Sequence, residues 1–238
     1  MSEPQIVLLA AGMGSRLGRP LPKPLTALSD GVTILERQWD ALRRQWPDAP
    51  IVIVVGFKME LIMESFPDAL FVYNQDYDET NTARSLCKAL RLTAPGGVLW
   101  LNGDVVFDDS MLASIAPFIN DDRSFCCVNT AQVGEEEVKY TVDEHGFING
   151  VGKAIFNGLG EAVGINYVSS GDKKSLIHHL AACAEDDYFE RGVERSISED
   201  GLQWIATDIS AFGCVEVDFE ADLAKANRII GQGRPSAR

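Results

Sequence analysis

Residues 5–24 read Gln5-Ile6-Val7-Leu8-Leu9-Ala10-Ala11-Gly12-Met13-Gly14-Ser15-Arg16-Leu17-Gly18-Arg19-Pro20-Leu21-Pro22-Lys23-Pro24. The apolar run up to Ala10 is rich in branched side chains, the pattern of a buried strand. Ala10, Ala11, Gly12 and Gly14 then let the backbone turn tightly and approach a ligand closely. Successive exposed N–H groups in such a turn form a concave anion site. Arg16 adds a planar, forked cation and Lys23 a flexible point charge. Strand, glycine-rich loop and two cations together describe a cradle for a polyphosphate. The loop is not a Walker loop, because no Gly-Lys-Ser/Thr follows. It also lacks the third glycine, three residues after Gly14, that a dinucleotide fingerprint requires. The plainer alternative is a tight strand-to-helix turn with two solvated cations.

Outward from this stretch, the spacing predicts a helix over 32–46, with Ile34, Leu35, Trp39 and Leu42 near one face and Asp30 or Thr33 as its cap. A fully apolar strand over 51–55, a short helix over 58–65 and a strand over 69–73 follow. A polar loop over 74–81 enters a helix over 82–92. Pro95-Gly96-Gly97 turns into a strand over 98–101. Asp109 or Ser110 caps a helix ending at 119, and 124–129 is another strand. Strands alternating with helices at this spacing imply an α/β fold with a mostly parallel sheet covered on both faces. After about Gly134 the character changes. An alternating stretch over 138–142 meets a hairpin turn at Glu144-His145-Gly146, and 147–148 resumes the strand. A strand over 162–168, helices over 170–184 and 187–198, short strands over 204–207 and 214–217 and a closing helix over 219–230 complete the reading. Residues 231–238 are expected to fray. No linker divides the chain, so the second half is built onto the same core.

With 238 residues, 46% of them hydrophobic, the chain can bury one sizeable core. A net charge of −14 argues against nucleic acid or an anionic membrane as partner. No apolar run reaches membrane-spanning length, and Met1-Ser2-Glu3-Pro4 does not read as a signal peptide. Cys87, Cys126, Cys127, Cys183 and Cys214 are scattered without CxxC spacing, which reads as buried, reduced thiols in a cytoplasmic protein.

In an open parallel sheet, ligands sit at the carboxyl ends of the strands. The glycine-rich loop ends the first strand, and Asp104 follows the strand over 98–101, so both can face one crevice. An Asp there is a hard oxygen ligand suited to Mg²⁺ bridging phosphate oxygens; Asn102-Gly103-Asp104 also suits an ordinary turn. Late in the chain, Val215-Glu216-Val217-Asp218 places two carboxylates on one strand face, where both can point at the same metal. Asp218 is the first choice and Glu216 the second, although Asp218 is also well placed as a helix cap. Asp108 and Asp109 are expected to cap the helix after them. The polar segment from Asn74 to Leu86 offers donors and acceptors for a pyrimidine edge through Asn81, Thr82 and Ser85, and Thr80 or Asn81 would also cap the helix. His145, His178 and His179 form no catalytic triad.

The motif Leu-x-x-Gly-x-Gly-x-Arg followed by Pro-Lys, complete over residues 8–24, resembles the signature of nucleotidyltransferases. The resemblance implies a Rossmann-like, mostly parallel mixed sheet of the nucleotide-diphospho-sugar transferase type. It implies an enzyme that moves a nucleoside monophosphate from an NTP to a phosphorylated acceptor. Within the superfamily, the Asn-x-x-Tyr stretch at 74–77, Asn81-Thr82-x-x-Ser85-Leu86, Asn102-Gly103-Asp104-Val105-Val106-Phe107, Val151-Gly152-Lys153 and Gly160-Glu161-Ala162-Val163-Gly164-Ile165 look like the bacterial phosphocholine cytidylyltransferases. The expected reaction is transfer of CMP from CTP to phosphocholine. Lys23, Arg16 and Asp104 would be catalytic. Leu9, Ala10, Ala11, Gly12, Gly14, Ser15, Arg16, Lys23, Asn81, Thr82 and Ser85 would bind the nucleotide, and Mg²⁺ would rest on Asp104 with Asp218 and Glu216. One domain over 1–230 would divide into a nucleotide-binding part at about 1–133 and an acceptor-binding part at about 134–230.

A phosphocholine acceptor needs cations for its phosphate, here Lys153 and Lys23, and aromatic faces with a carboxylate for its trimethylammonium, for which Glu161, Asp186 and Asp187 are near in sequence. The second half offers Tyr140, Phe156, Tyr167, Tyr188, Phe189 and Trp204. The densest cluster is Asp187-Tyr188-Phe189-Glu190, so Lys153, Glu161, Asp187 and Tyr188 are the expected acceptor-binding residues. Rival readings are a sugar-1-phosphate or aminoalkylphosphonate acceptor, and a non-catalytic nucleotide-binding regulatory module. A homo-oligomer is compatible with all of them.

Overall fold

The computed structural model describes residues 3–14, 17–18, 20–131 and 137–232. The apolar run forms β1 (Gln5–Ala10), buried at every position after Gln5. A single 3₁₀ turn, Lys23–Leu25, follows the glycine-rich loop and is entered at Pro22. α1 (Ile34–Gln45) starts with a capping box, in which Thr33 Oγ1 accepts from Glu36 N and the Glu36 carboxylate accepts from Thr33 N. The chain continues through β2 (Ile51–Val55), α2 (Met59–Ser65), β3 (Leu70–Tyr73), α3 (Thr82–Leu92), β4 (Val98–Asn102), β5 (Val105–Phe107), α4 (Met111–Asn120) and β6 (Phe125–Asn129). The second half holds β7 (Lys139–Val142), β8 (Ile148–Gly152), β9 (Gly160–Val168), α5 (Lys173–Ala181), α6 (Phe189–Asp200), β10 (Ile205–Asp208), β11 (Cys214–Glu216) and α7 (Glu220–Gln232).

The main sheet runs β10-β6-β9-β4-β1-β2-β3. β3, β2, β1 and β4 are mutually parallel, as are β6 and β10, and β9 lies antiparallel between β4 and β6. β7 pairs antiparallel with β8 and β9. β5 and β11 form a separate antiparallel ribbon. Side chains alternate along β1 as the strand period requires. Ile6 and Leu8 pack with Leu35, Leu42, Ile62 and Ile115, while Val7 and Leu9 pack on the opposite face with Leu86, Leu90, Leu180 and Val193. A smaller core of Leu28, Ile34, Val106, Val217, Leu223 and Ala226 seats α7 on the ribbon. No described helix is long and apolar enough to cross a membrane.

Four local differences from the sequence reading have physical causes. β5 was not expected, because three residues carry no periodic signal. α5 begins later than 170 because Ser169 N and Ser170 N are donated to Ser124 Oγ and Asp122 Oδ1, which holds that backbone out of the helix. The start of α4 is held by Asp108, whose Oδ1 accepts from Ser110 N, while Asp109 pairs with Arg44 at 2.5 Å. α7 reaches Gln232, so its last two residues fall where fraying was expected; residues 233–238 lie outside the described ones.

Candidate active site

The site begins where the carboxyl ends of β1 and β4 touch. Gly103 N donates to Leu9 O at 2.9 Å, and a Cβ at Gly103 would lie 2.7 Å from that oxygen, so the turn leading to Asp104 requires glycine. Gly14 has φ +58° and lies so near Lys23 that a Cβ would stand 2.6 Å from Lys23 Cβ. The loop therefore folds directly onto its lysine. Asp218 arrives from the far end of the chain by way of the ribbon, where β11 pairs with β5 and Val217 N donates to Asp104 O at 3.0 Å.

The Lys23 ammonium stands between the two acids, 2.6 Å from Asp104 Oδ2 and 2.5 Å from Asp218 Oδ1. Lys23 is 9% exposed. Burial by itself would lower its pKa, but Asp104 and Asp218 reverse that and raise it, so the side chain stays charged. The other oxygen of Asp104, Oδ1, is buried with no hydrogen-bond partner. Glu216 accepts from Asn102 Nδ2 at 3.4 Å, and burial followed by repulsion from Asp104 pushes its carboxyl well above the ordinary range. β11 stops at Glu216, so Asp218 lies past the strand rather than on its face, yet both acids line the same cleft. Among the described residues no three His, Cys, Asp or Glu side chains are gathered as a ready ligand set.

The cleft has a volume of about 960 Å³. Of the expected residues, Leu9, Ala10, Gly12, Gly14, Lys23, Asn81, Thr82, Asp104, Lys153, Glu161, Tyr188, Glu216 and Asp218 line it. Three do not. Ala11 is buried, and its carbonyl accepts from Phe57 N, tying the loop to the turn after β2. Ser85 is 5% exposed, and its Oγ accepts from Asn74 Nδ2 at 3.1 Å, so it braces the segment from inside. Asp187 turns its carboxylate to Ala184 N at 2.8 Å and closes the turn before α6. Ser15 and Arg16 lie outside the described residues.

The six aromatic side chains named above divide sharply, and Phe212 and Phe219, which the sequence reading did not name among them, also line the cleft. Tyr140, Tyr167 and Trp204 are buried in the core, and Phe156 is 92% exposed; none of them lines the cleft. Tyr188 and Phe189 do line it, and the ring of Tyr188 carries Lys153 Nζ at 4.8 Å. Phe189 packs edge-on against Trp100, with ring centroids 5.6 Å apart. The starts of α3 and α6 are joined, since Phe189 N donates to Thr82 Oγ1 at 3.0 Å and Asn81 N to Glu185 O at 2.9 Å. Beyond the expected site residues, Glu137, Glu190 and Asp222 also face the cleft, as do Lys225 and Asn102. Burial, reinforced by the hydrogen-bonded carboxyl of Glu137, lifts Glu161 to about 7. Burial lifts Glu190 to about 7 as well. The sequence grouped Glu190 with Asp187, Tyr188 and Phe189 but did not single it out, because a glutamate in the first turn of a helix normally faces water.

A 2-aminoethylphosphonate cytidylyltransferase from Lancefieldella rimae is 27% identical over 232 residues, covering 92% of this chain and 89% of that protein. Among solved structures, the inositol-1-phosphate CTP transferase from T. maritima superposes with a TM-score of 0.78 at 18% identity, over 98% of this chain and 97% of the other. The CTP:phosphocholine cytidylyltransferase from Streptococcus pneumoniae superposes with a TM-score of 0.72 at 20% identity, over 95% and 98%. These superpositions establish a shared nucleotidyltransferase fold. The family model of the MobA-like NTP transferase domain matches residues 6–200, and the chain belongs to that family.

Proposed function

We propose that this enzyme transfers CMP from CTP to a small phosphonate or phosphate that carries an amino group, with 2-aminoethylphosphonate as the first candidate acceptor. The observation that carries this reading is the pairing of charges at the acceptor end of the cleft. Lys153 lines the cleft with several carboxylates and acts on that of Glu190, while its ammonium already covers the face of Tyr188. A primary ammonium is met by carboxylate oxygens, whereas a quaternary one needs open ring faces. The 27% identical relative supports the same acceptor class. Phosphocholine, which the sequence resemblance implies, is the second reading, favoured by the partly exposed Tyr188 on the cleft wall.

In the proposed reaction an acceptor oxygen attacks the α-phosphorus of CTP in line. The bond from that phosphorus to the bridging oxygen breaks, and its electron pair leaves with pyrophosphate. Lys153 would hold the acceptor's anionic end. The loop N–H groups would hold the triphosphate, and Asn81 and Thr82, which line the cleft, would read the base. Lys23 would turn from its two acids toward the transferring group and donate to a non-bridging oxygen as charge builds there. Asp104 and Asp218 fit Mg²⁺, because they offer hard oxygen donors and Asp104 Oδ1 is buried without a partner. The ion, when bound, would supply charge neutralisation at phosphate oxygens. The five free cysteines support a reducing, cytoplasmic setting.

The test is a pyrophosphate-release screen of four NTPs against 2-aminoethylphosphonate, phosphoethanolamine, phosphocholine and glucose-1-phosphate. CTP with an amino acceptor should give the highest kcat/KM. A tenfold lead for glucose-1-phosphate, about 1.4 kcal/mol, would overturn the acceptor class. No turnover with any pair would leave the non-catalytic module.

A further inference from the structure

Glu190 occupies the first turn of α6, is 7% exposed, and lines the cleft. Its Oε2 is buried with no hydrogen-bond partner among the described residues. A buried carboxylate oxygen left unmet costs stability unless a partner arrives from outside the chain. Burial opposes its charged form, and the backbone N–H of Glu190 itself, at the helix start, partly offsets that. Phe189, edge-on to Trp100, packs the wall beside it and holds that start in place.

The other acids of the cleft, apart from the exposed Asp78, have partners. Asp104 and Asp218 share the Lys23 ammonium. Glu161 is hydrogen-bonded to Glu137 and lies under the influence of Lys225, and Glu216 accepts from Asn102. Lys153 is the cation that acts on Glu190, yet it makes no ion pair with it and rests over Tyr188 instead. Lys153 and Glu190 therefore stand as two unjoined opposite charges on one cleft, with Tyr188 against the lysine. An aminoalkylphosphonate is itself a zwitterion whose charges are separated by a short carbon chain, and it can meet both charges at once.

We infer that Glu190 is the specificity-determining residue for the acceptor, its partnerless Oε2 accepting hydrogen bonds from the acceptor's ammonium while Lys153 holds the phosphonate. This rests on the proposed function, and it names the atom that chooses an amino acceptor over a neutral one.

The experiment compares wild type with Glu190→Gln and Glu190→Asp on 2-aminoethylphosphonate, its neutral counterpart 2-hydroxyethylphosphonate, and the N,N,N-trimethyl analogue. The wild type should prefer the primary amine to the trimethyl analogue by about tenfold or more in kcat/KM, because methylation removes the N–H donors. Glu190→Gln should raise KM for the amine about tenfold or more, leave KM for the hydroxyl compound and for CTP within about twofold, and so erase the preference. Glu190→Asp, which keeps the charge, should retain part of it. Equal losses on amine and hydroxyl acceptors in Glu190→Gln would overturn the inference, as would a wild type that uses the trimethyl analogue as well as the amine. The wild-type series alone decides the matter if Glu190→Gln does not fold. A wild type that turns over none of these acceptors with CTP removes the proposed function itself, and a wild type that turns over glucose-1-phosphate in their place identifies that failure as one of acceptor class.

Discussion

Lys23 Nζ lies 2.6 Å from Asp104 Oδ2, so the cation expected to meet phosphate neutralises the acid expected to meet a metal. Without nucleotide, ammonium and metal compete for the same oxygens. Lys23→Ala should therefore bind Mn²⁺ about tenfold more tightly than wild type in nucleotide-free calorimetry. With CTP and acceptor present, the same variant should lose more in kcat than it gains in KM for CTP. Equal Mn²⁺ affinity in the two proteins would show that the ammonium is not in the way.

Asp104→Asn keeps the size of the side chain and the turn at Gly103 while removing the charge. Turnover should fall by about a hundredfold or more, roughly 2.7 kcal/mol of barrier, with an unchanged circular dichroism spectrum. Near-normal turnover in the folded variant would remove Asp104 from the metal site.

Tyr188→Ala takes away the ring under Lys153. A cation–π contact is worth about 0.5–2 kcal/mol, so KM for the acceptor should rise by roughly 2- to 30-fold. KM for CTP should stay within about twofold, and Tyr188→Phe should behave like wild type. A matching rise in KM for CTP would mean that Tyr188 serves the nucleotide.

Asp187→Ala should act on stability alone, because the carboxylate is committed to Ala184 N. One such bond is worth about 1 kcal/mol, which for a chain of this length lowers Tm by about 2–4 °C. Steady-state kinetics should not change. A rise of about tenfold in acceptor KM would return Asp187 to the acceptor site.

Glu161 ties stability to pH. Burial and Glu137 hold its pKa at about 7 in the folded protein, with Lys225 opposing and Asp222 reinforcing them. The folded chain keeps a proton that the unfolded chain gives up from about pH 4.3 upward, so this group's contribution falls as pH rises through the interval to about 7. Glu161→Gln should therefore gain in Tm relative to wild type at about pH 7.5 and not at about pH 4.5. Scanning calorimetry at the two pH values measures the difference.

Sequence patterns reach as far as their physical signals do. The buried strand, the glycine-rich loop, Lys23 and Asn102-Gly103-Asp104 are local features with local causes, and they locate one end of the cleft. The ribbon of β5 and β11 carries Asp218 to Asp104; β11 is legible as a strand over 214–217, but its three-residue partner β5 has no readable period. At Asp187-Tyr188-Phe189-Glu190 the composition marked an acidic, aromatic site. α6 starts at Phe189, two residues later than periodicity suggested, and that small difference leaves Asp187 in the turn and Glu190 in the cleft. Direction, unlike composition, is set by contacts with the rest of the fold.

The antiparallel strand between β4 and β6 also sets a timetable for synthesis. β6 and β10 have no place in the sheet until β9 has left the ribosome, so β4 waits with one edge unpaired, an edge open to other chains. Pairings this distant in sequence are slow to form. The loop, Lys23 and Asp104 emerge more than a hundred residues before Asp218. A nascent chain thus carries three parts of the cleft long before the fourth can join them, and a chain interrupted before β11 never brings Asp218 to Lys23.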